Sequence, residues 1–431
     1  MGDITPAVVE RVVAAADATK DEIIDFLQGL VRIPTENPPG REYRACAEFV
    51  GRRMAQLGYK VEYIPVPPEL LPELAPEGDG LERVNVIGRL PGSRGRPVLH
   101  FNGHYDVVPA GPGWSVDPFG GEIRDGKLYG RGSSDQKSGI AAQVFVPEVV
   151  RRAGYRLLGT LESSATPDEE TGGFAGVGYL VRTGAIARDR TDYVVITECL
   201  DKDRVCIGHR GTLWMEVQVF GRKAHGSMPS LGVNAVEVAG EIIHRIESRL
   251  KPVLGTRVTD LPVVPEAAKR ASIAVTVIEG GTKVNTVPAV CRLRLDRRLV
   301  PGETIAGAVE EVRSICEDLC KERGNDFRYE VKSLMQVGPT LVPEEARVVR
   351  VFREAGRQVM GAVPGLVISP GSDDQKFIVQ QAGIDECIIY GPGLLEQAHQ
   401  TDEYVPVQDV LDAVKVMTLA AMQLLGYELR R

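Results

Sequence analysis

The stretch Leu99-His100-Phe101-Asn102-Gly103-His104-Tyr105-Asp106 ends an apolar run with a histidine and an aspartate two residues apart. In an extended segment, residues i and i+2 project from the same face. His104 and Asp106 can therefore point into one site while Phe101 and Val107 stay in packing positions. A neutral imidazole ligates a metal through one ring nitrogen, and a nearby carboxylate commonly accepts from the other. The same pair also suits an ordinary hydrogen-bonded turn, so the remaining acids and histidines decide between the two.

Four further clusters bear on that choice. Tyr129-Gly130-Arg131-Gly132-Ser133-Ser134-Asp135-Gln136-Lys137-Ser138-Gly139 is a glycine- and serine-rich loop running into a helix-like stretch from Ile140 to Val150. Its plainest use is a strand-to-helix turn capped by Asp135 or a serine. An apolar strand from Leu157 to Ser163 leads to Asp168-Glu169-Glu170. A solvated charge run is the default for three acids in a row, but the flanking Thr-Pro and Thr-Gly-Gly resemble a fixed turn. Tyr193-Val194-Val195-Ile196-Thr197-Glu198 is a β-branched run ending on a carboxylate, and His399 lies in Glu396-Gln397-Ala398-His399-Gln400-Thr401-Asp402-Glu403-Tyr404.

Five candidate ligands result: His104, Asp135, Glu170, Glu198 and His399. Their mixed nitrogen and oxygen donors suit Zn²⁺ or a similar divalent ion. Five exceed one tetrahedral shell but fit two ions about 3.5–4 Å apart that share a carboxylate. Such a centre activates water and needs a base, and Glu169 beside Glu170 can aim its carboxylate at that water.

In their order these motifs resemble the dinuclear zinc amidohydrolase family of aminoacylase, carboxypeptidase G, acetylornithine deacetylase and succinyl-diaminopimelate desuccinylase. The strand ending Gly-His-x-Asp-Val-Val-Pro, the Gly-Arg-Gly-x-x-Asp-x-Lys-x-Gly loop, the Glu-Glu pair, the single acid at Glu198 and the late histidine span essentially the whole chain. The resemblance implies His104, Asp135 and Glu198 on one ion and Asp135, Glu170 and His399 on the other, with Asp135 bridging. It further implies Asp106 orienting His104 and Glu169 as general base. The ions would be zinc, with cobalt or manganese as alternatives. His225, in Lys223-Ala224-His225-Gly226-Ser227, resembles a lid histidine that reaches a partner subunit's site and helps bind the oxyanion. Asn285 and Arg298 resemble lid residues holding a substrate carboxylate or the oxyanion, for which a guanidinium has suitable bidentate geometry. Gly371 and Ser372 belong to a loop that matches the family's Gly-Thr-Asp-Ala-Arg-Phe pattern only partly; Gln375 stands where an arginine is common, and Lys376 could compensate.

The implied activity is hydrolysis of the amide of an N-acyl amino acid or short peptide. Two alternatives remain: a non-peptide C–N bond (carbamoyl, amidine or aryl-amine) at the same site, or a catalytically inactive binding protein. Among the other histidines, His100 is expected to be packed or to stand behind a metal ligand, His209 with Arg210 to lie at a hinge between domains, and His244 to sit on a helix face.

These residues need a scaffold, and the order of elements supplies one. Helical spacing over Thr19–Val31 and Tyr43–Gly58 is followed by strands at Lys60–Val66, Arg83–Leu90 and Pro97–Gly103. Helices and strands alternate to residue 200, which indicates a three-layer α/β sandwich around a mostly parallel sheet. Prolines make the stretch from Pro65 to Leu81 a surface excursion. After about residue 208 the pattern becomes β-α-β-β-α-β, that of a ferredoxin-like domain. Residues 209–332 are thus expected to form an inserted domain, which the resemblance implies is a lid and dimerisation domain, with 1–208 and 333–431 forming the metal-binding domain. The family's lids often pair, so the resemblance implies a homodimer.

Length agrees with two domains, since 431 residues exceed one ordinary core. A net charge of -8 with no basic cluster argues against nucleic acid as a partner, and short, interrupted apolar runs argue against a membrane. Met1-Gly2-Asp3-Ile4-Thr5-Pro6 lacks the basic-then-apolar pattern of a secretory signal. Seven scattered cysteines suit reduced thiols. The expectation is a cytoplasmic enzyme acting on a small molecule.

Overall fold

The computed structural model describes residues 4–430; Met1, Gly2 and Asp3 of the N-terminal reading lie outside them. The chain divides into two compact units, Met1–Ile207 with Val342–Val367 and Asp373–Arg431, and Gly208–Leu341 with Ile368–Ser372. The second unit runs beyond the expected residue 332 because its strand Arg328–Val337 is longer than the pattern showed, and because Thr340–Leu341 pairs with Gly208 and His209.

In the first unit the sheet order is Lys60–Pro65, Val84–Leu90, Gly159–Thr166, Gly95–His104, Tyr193–Ile196, Cys387–Ile389, Arg204–His209. Pairing is parallel among the central four strands and antiparallel on both flanks. The sheet is therefore mixed where a mostly parallel one was expected. A parallel neighbour needs a long crossover, and between Lys60–Pro65 and Val84–Leu90 the chain holds only the short turns Pro68–Leu70 and Leu71–Leu74. That proline-rich stretch is also more than a surface excursion. Val66, Leu71, Leu74 and Ala75 are buried with Ala175 and Tyr179, because proline is tolerated in the first turn of a helix.

Every residue from Val98 to His104 and from Gly159 to Thr166 is buried. Strands buried on both faces require cover on both, which gives the three layers. Helices Lys137–Arg152 and Val407–Leu425 are buried along most of their length and pack on each other and on Gly95–His104. Val194 and Ile196, which share one face of their strand, join Val177, Leu180, Phe377 and Ile378 in a second cluster.

The second unit has a four-stranded antiparallel sheet in the order Ser272–Gly280, Val290–Leu299, Gly211–Phe220, Arg328–Val337. Leu213, Met215, Val217 and Val219 alternate inward against helices Ala235–Arg245 and Ile305–Glu322. Asn234 and Thr304 cap these helices, accepting from Val236 N at 3.0 Å and Gly307 N at 3.1 Å. The βαββαβ order read from the sequence is the one observed. Among the described residues, no helix is long and apolar enough to cross a membrane.

Candidate metal centre

Three adjacent parallel strands deliver acids and a histidine at their carboxyl ends, the side of an open α/β sheet where ligands bind. His104 closes Gly95–His104, the Asp168-Glu169-Glu170 turn follows Gly159–Thr166, and Glu198 lies just past Tyr193–Ile196. Asp135 precedes helix Lys137–Arg152, and His399 lies between Cys387–Ile389 and Tyr404–Pro406. All five candidate ligands fall in the first unit.

The structure brings them together as two groups that meet at one residue. His104, Asp135 and Glu198 form one, and Asp135, Glu170 and His399 the other, the ligand atoms within each lying within 4.8 Å of one another. His104 Nε2 is 3.1 Å from Glu198 Oε1 and 3.3 Å from Asp135 Oδ1. His399 Nε2 is 3.0 Å from Glu170 Oε2 and 3.4 Å from Asp135 Oδ2. Asp135 thus turns one oxygen to each histidine, a use other than the helix cap its loop allowed.

The donor set fits a pair of divalent cations. His104 Nδ1 lies 3.0 Å from the Asp106 carbonyl oxygen. A carbonyl only accepts, so Nδ1 donates and a neutral ring keeps its Nε2 lone pair directed at the acids. That buried Nε2 is aligned as a hydrogen bond with neither carboxylate, and Glu170 Oε1 also has no hydrogen-bond partner. The charge balance points the same way. Burial and the Asp135 carboxylate push Glu170 up to about 7, and burial raises Glu198 despite His104 beside it. Burial followed by the Glu198 charge pushes Glu169 well above the ordinary glutamate value. Conversely, hydrogen bonds to Asp135 and Glu170 lift His399 to about 10. Crowded carboxylates around two imidazoles form a site deficient in positive charge.

Residues behind the ligands fix the Glu169–Glu170 turn. The Asp106 carboxylate accepts from Glu169 N at 3.2 Å, Glu170 N at 3.1 Å and Asn37 Nδ2 at 2.9 Å. Orientation of His104 was expected of this carboxylate; its oxygen lies 3.4 Å from Nδ1, and the backbone carbonyl of Asp106 makes the hydrogen bond. Asp168 begins the turn in a left-handed conformation and is buried. It accepts from Arg83 Nε at 2.7 Å and Tyr43 Oη at 2.9 Å. The three acids are therefore a fixed turn and not a solvated run. Asn37, Tyr43 and Arg83 were not singled out from the sequence, and none lies in a pattern that would have marked it; Asp168 was quoted in the acidic run but given no role of its own. Arg131 and Glu403 were passed over although both stand inside quoted motifs. His100 is packed, with Nδ1 3.0 Å from Glu162 and Nε2 2.8 Å from Ser164.

Gln375 is buried and donates to the Cys387 carbonyl at 2.9 Å, so its departure from the family pattern falls on a packed residue. Asp374 and Lys376 of the same loop are the ones whose charges reach Glu169. Gly371 and Ser372 are grouped with the second unit. In that unit His225 is exposed, its Nδ1 2.7 Å from Ser227 Oγ, on a two-stranded ribbon where it faces Thr286. Asn285 is its neighbour there, its carbonyl accepting from Gly226 N at 2.8 Å. Arg298 is held by Asp296 at 2.7 Å and Thr212 at 2.8 Å. Arg297, next in the strand, is fully buried against Glu303 and Glu311.

Residues 100–423 match peptidase family M20/M25/M40. The chain belongs to that family. It is 31% identical over 412 residues to succinyl-diaminopimelate desuccinylase of Caulobacter sp. (strain K31), covering 93% of this chain and 96% of that one. To acetylornithine deacetylase of Myxococcus xanthus it is 29% identical over 348 residues, 80% and 86% of the two chains. A tripeptidase structure from Staphylococcus aureus superposes with a TM-score of 0.72 at 21% identity, covering 94% of this chain and 98% of that one. This M20/M25/M40 member is accordingly a metal-dependent hydrolase of C–N bonds, with candidate ligands for two ions.

Proposed function

We propose that this enzyme hydrolyses the amide bond of an N-acyl amino acid or short peptide, with Glu169 as general base beside a two-zinc centre. The observation that carries the reading is the meeting of two ligand groups at Asp135 with Glu169 adjacent. The relatives named for removing succinyl and acetyl groups support a deacylase.

Bound there, two divalent ions supply Lewis acidity toward the scissile carbonyl and make a shared water more acidic. His104, Asp135 and Glu198 would hold one ion; Asp135, Glu170 and His399 the other. Zinc matches the histidine and carboxylate donors, with cobalt and manganese as substitutes. Glu169, raised by burial and by Glu198, takes the proton of the attacking water and returns it to the leaving nitrogen. The first unit is then the catalytic domain. The second is read as a lid and dimerisation domain, with His225 as the oxyanion donor for a partner subunit's site and Asn285, Arg298, Gly371 and Ser372 as the candidate substrate-binding residues. Reduced thiols fit a cytoplasmic location, as none of the seven cysteines is in a disulfide.

The non-peptide C–N alternative uses the same water-activating centre; Gln375, which departs from the family pattern, does not itself favour it, because this side chain is committed to the Cys387 carbonyl. Exhaustive chelation should abolish turnover of N-acetyl, N-succinyl and dipeptide substrates, and zinc readdition should restore it on one of the three classes. Activity that survives chelation, or zinc-dependent activity on carbamoyl substrates alone, refutes the proposal.

A further inference from the structure

His104 and Glu198 are fixed by the sheet, but Asp135 and His399 sit on separate loops and need another hold. Glu403 is fully buried and its carboxylate accepts from Gly132 N at 3.1 Å, Ser134 N at 2.8 Å and Asp135 N at 2.9 Å. The remaining acceptor position takes Arg131 Nη1 at 2.6 Å. Arg131, itself buried with Trp114 stacked 5.2 Å from its guanidinium, extends its fork to the carbonyls of Gln400 at 3.1 Å and His399 at 3.3 Å. One carboxylate therefore holds the backbone of Asp135, and its cationic partner holds the backbone of His399. The latter matters because His399 has φ 63°, a left-handed conformation that non-glycine residues keep only when their surroundings impose it.

We propose that Arg131 and Glu403 are positioning residues that set retention of the ion held by Asp135, Glu170 and His399. Their roles divide by what each touches. Arg131 also pairs with Glu403, but of the five ligands it touches His399 alone, so a change that keeps the cation and removes the fork should free one ligand of the second group and leave His104, Asp135 and Glu198 in place. Glu403 secures Asp135, which both groups share, so its loss should weaken both.

The test titrates zinc into the metal-free protein by calorimetry and measures zinc content after dialysis against graded chelator. Wild type should bind two equivalents tightly. R131K keeps a cation beside Glu403 but lacks the fork; it should bind one equivalent as wild type does and the second roughly 10- to 100-fold more weakly. E403Q should weaken both. If R131K fails to unfold cooperatively, R131Q takes its place in the same titration. Two wild-type equivalents in the arginine variant, or an equal weakening of both, overturns the proposal. Because it rests on the ligand assignment above, H399A is run alongside. H399A retaining both equivalents refutes that assignment, whereas H399A losing one while R131K loses none refutes only the positioning role.

Discussion

Glu169 and Glu170 are adjacent in sequence and differ in what surrounds their carboxylates. Glu170 Oε2 lies 3.0 Å from His399, whereas the charges acting on Glu169 are those of Glu198, His104, Asp374 and Lys376. Glu169→Gln keeps shape and removes basicity, so kcat should fall by about 10²- to 10⁴-fold while zinc content stays at two equivalents. Unchanged turnover, or loss of metal, would contradict a base role. Asp106 offers a sharper contrast. Its two oxygens face the N–H groups of Glu169 and Glu170, and an asparagine has only one acceptor oxygen to offer. Whichever way Asp106→Asn is turned, an NH₂ group confronts a backbone donor and pushes the turn outward. Displacement of a reacting group by about 1 Å costs on the order of 10² in rate. Asp106→Asn should therefore reduce kcat more than it reduces zinc content, the two being read on the same preparation.

At the level of elements, the second unit is pinned by a partly buried ion cluster, centred on the buried Arg297, where strand Val290–Leu299 meets helix Ile305–Glu322. Glu303 accepts from Arg257 at 2.8 Å, from Val300 N at 2.8 Å and from the fully buried Arg297. Burial alone would raise Glu303, but Arg297 and Arg257 hold it below the ordinary glutamate value. A carboxyl depressed in the folded state binds protons more readily unfolded. Its stabilisation is complete at neutral pH and is lost as pH falls below about 5. Glu303→Gln should cost about 2–3 kcal/mol at pH 7 and flatten the acid dependence relative to the parent. Urea unfolding followed by Trp214 fluorescence in a Trp114→Phe background reads this, and equal midpoints at pH 7 would contradict it. Elements such as these were legible because alternating apolar residues mark half-buried strands directly. The five ligands were legible because metal chemistry restricts residue types and strand ends expose them in short contiguous motifs. Arg83 and Asn37 were not, since their meaning lies in partners such as Asp168 and Asp106, more than sixty residues away, that only the folded chain supplies. The proline-rich stretch failed for a related reason: its apolar residues are buried by Ala175 and Tyr179, far along the chain.

At the scale of the whole molecule, the two units carry different parts of the proposed chemistry, with Glu169 in the first and His225 in the second. His225 is exposed in a single copy, and the proposal assigns its work to another copy's site. A symmetric dimer that exchanges this histidine makes a quantitative prediction. Glu169→Ala and His225→Ala should each be nearly inactive alone. Mixing equal amounts, with exchange of subunits, gives half of all dimers as hybrids. In a hybrid, the site built on the His225→Ala chain has its own Glu169 and receives an intact His225 from the other chain. The second site of the same hybrid lacks both. One good site in every hybrid, with hybrids forming half of the dimers, corresponds to about a quarter of wild-type activity. Were His225 to serve the site of its own chain, every site in the mixture would lack one residue and no activity would return. Recovery measured against the fraction of hybrids, counted by native mass spectrometry, separates the two arrangements, and a chain that sediments as a monomer at every concentration tested rules out the exchange altogether.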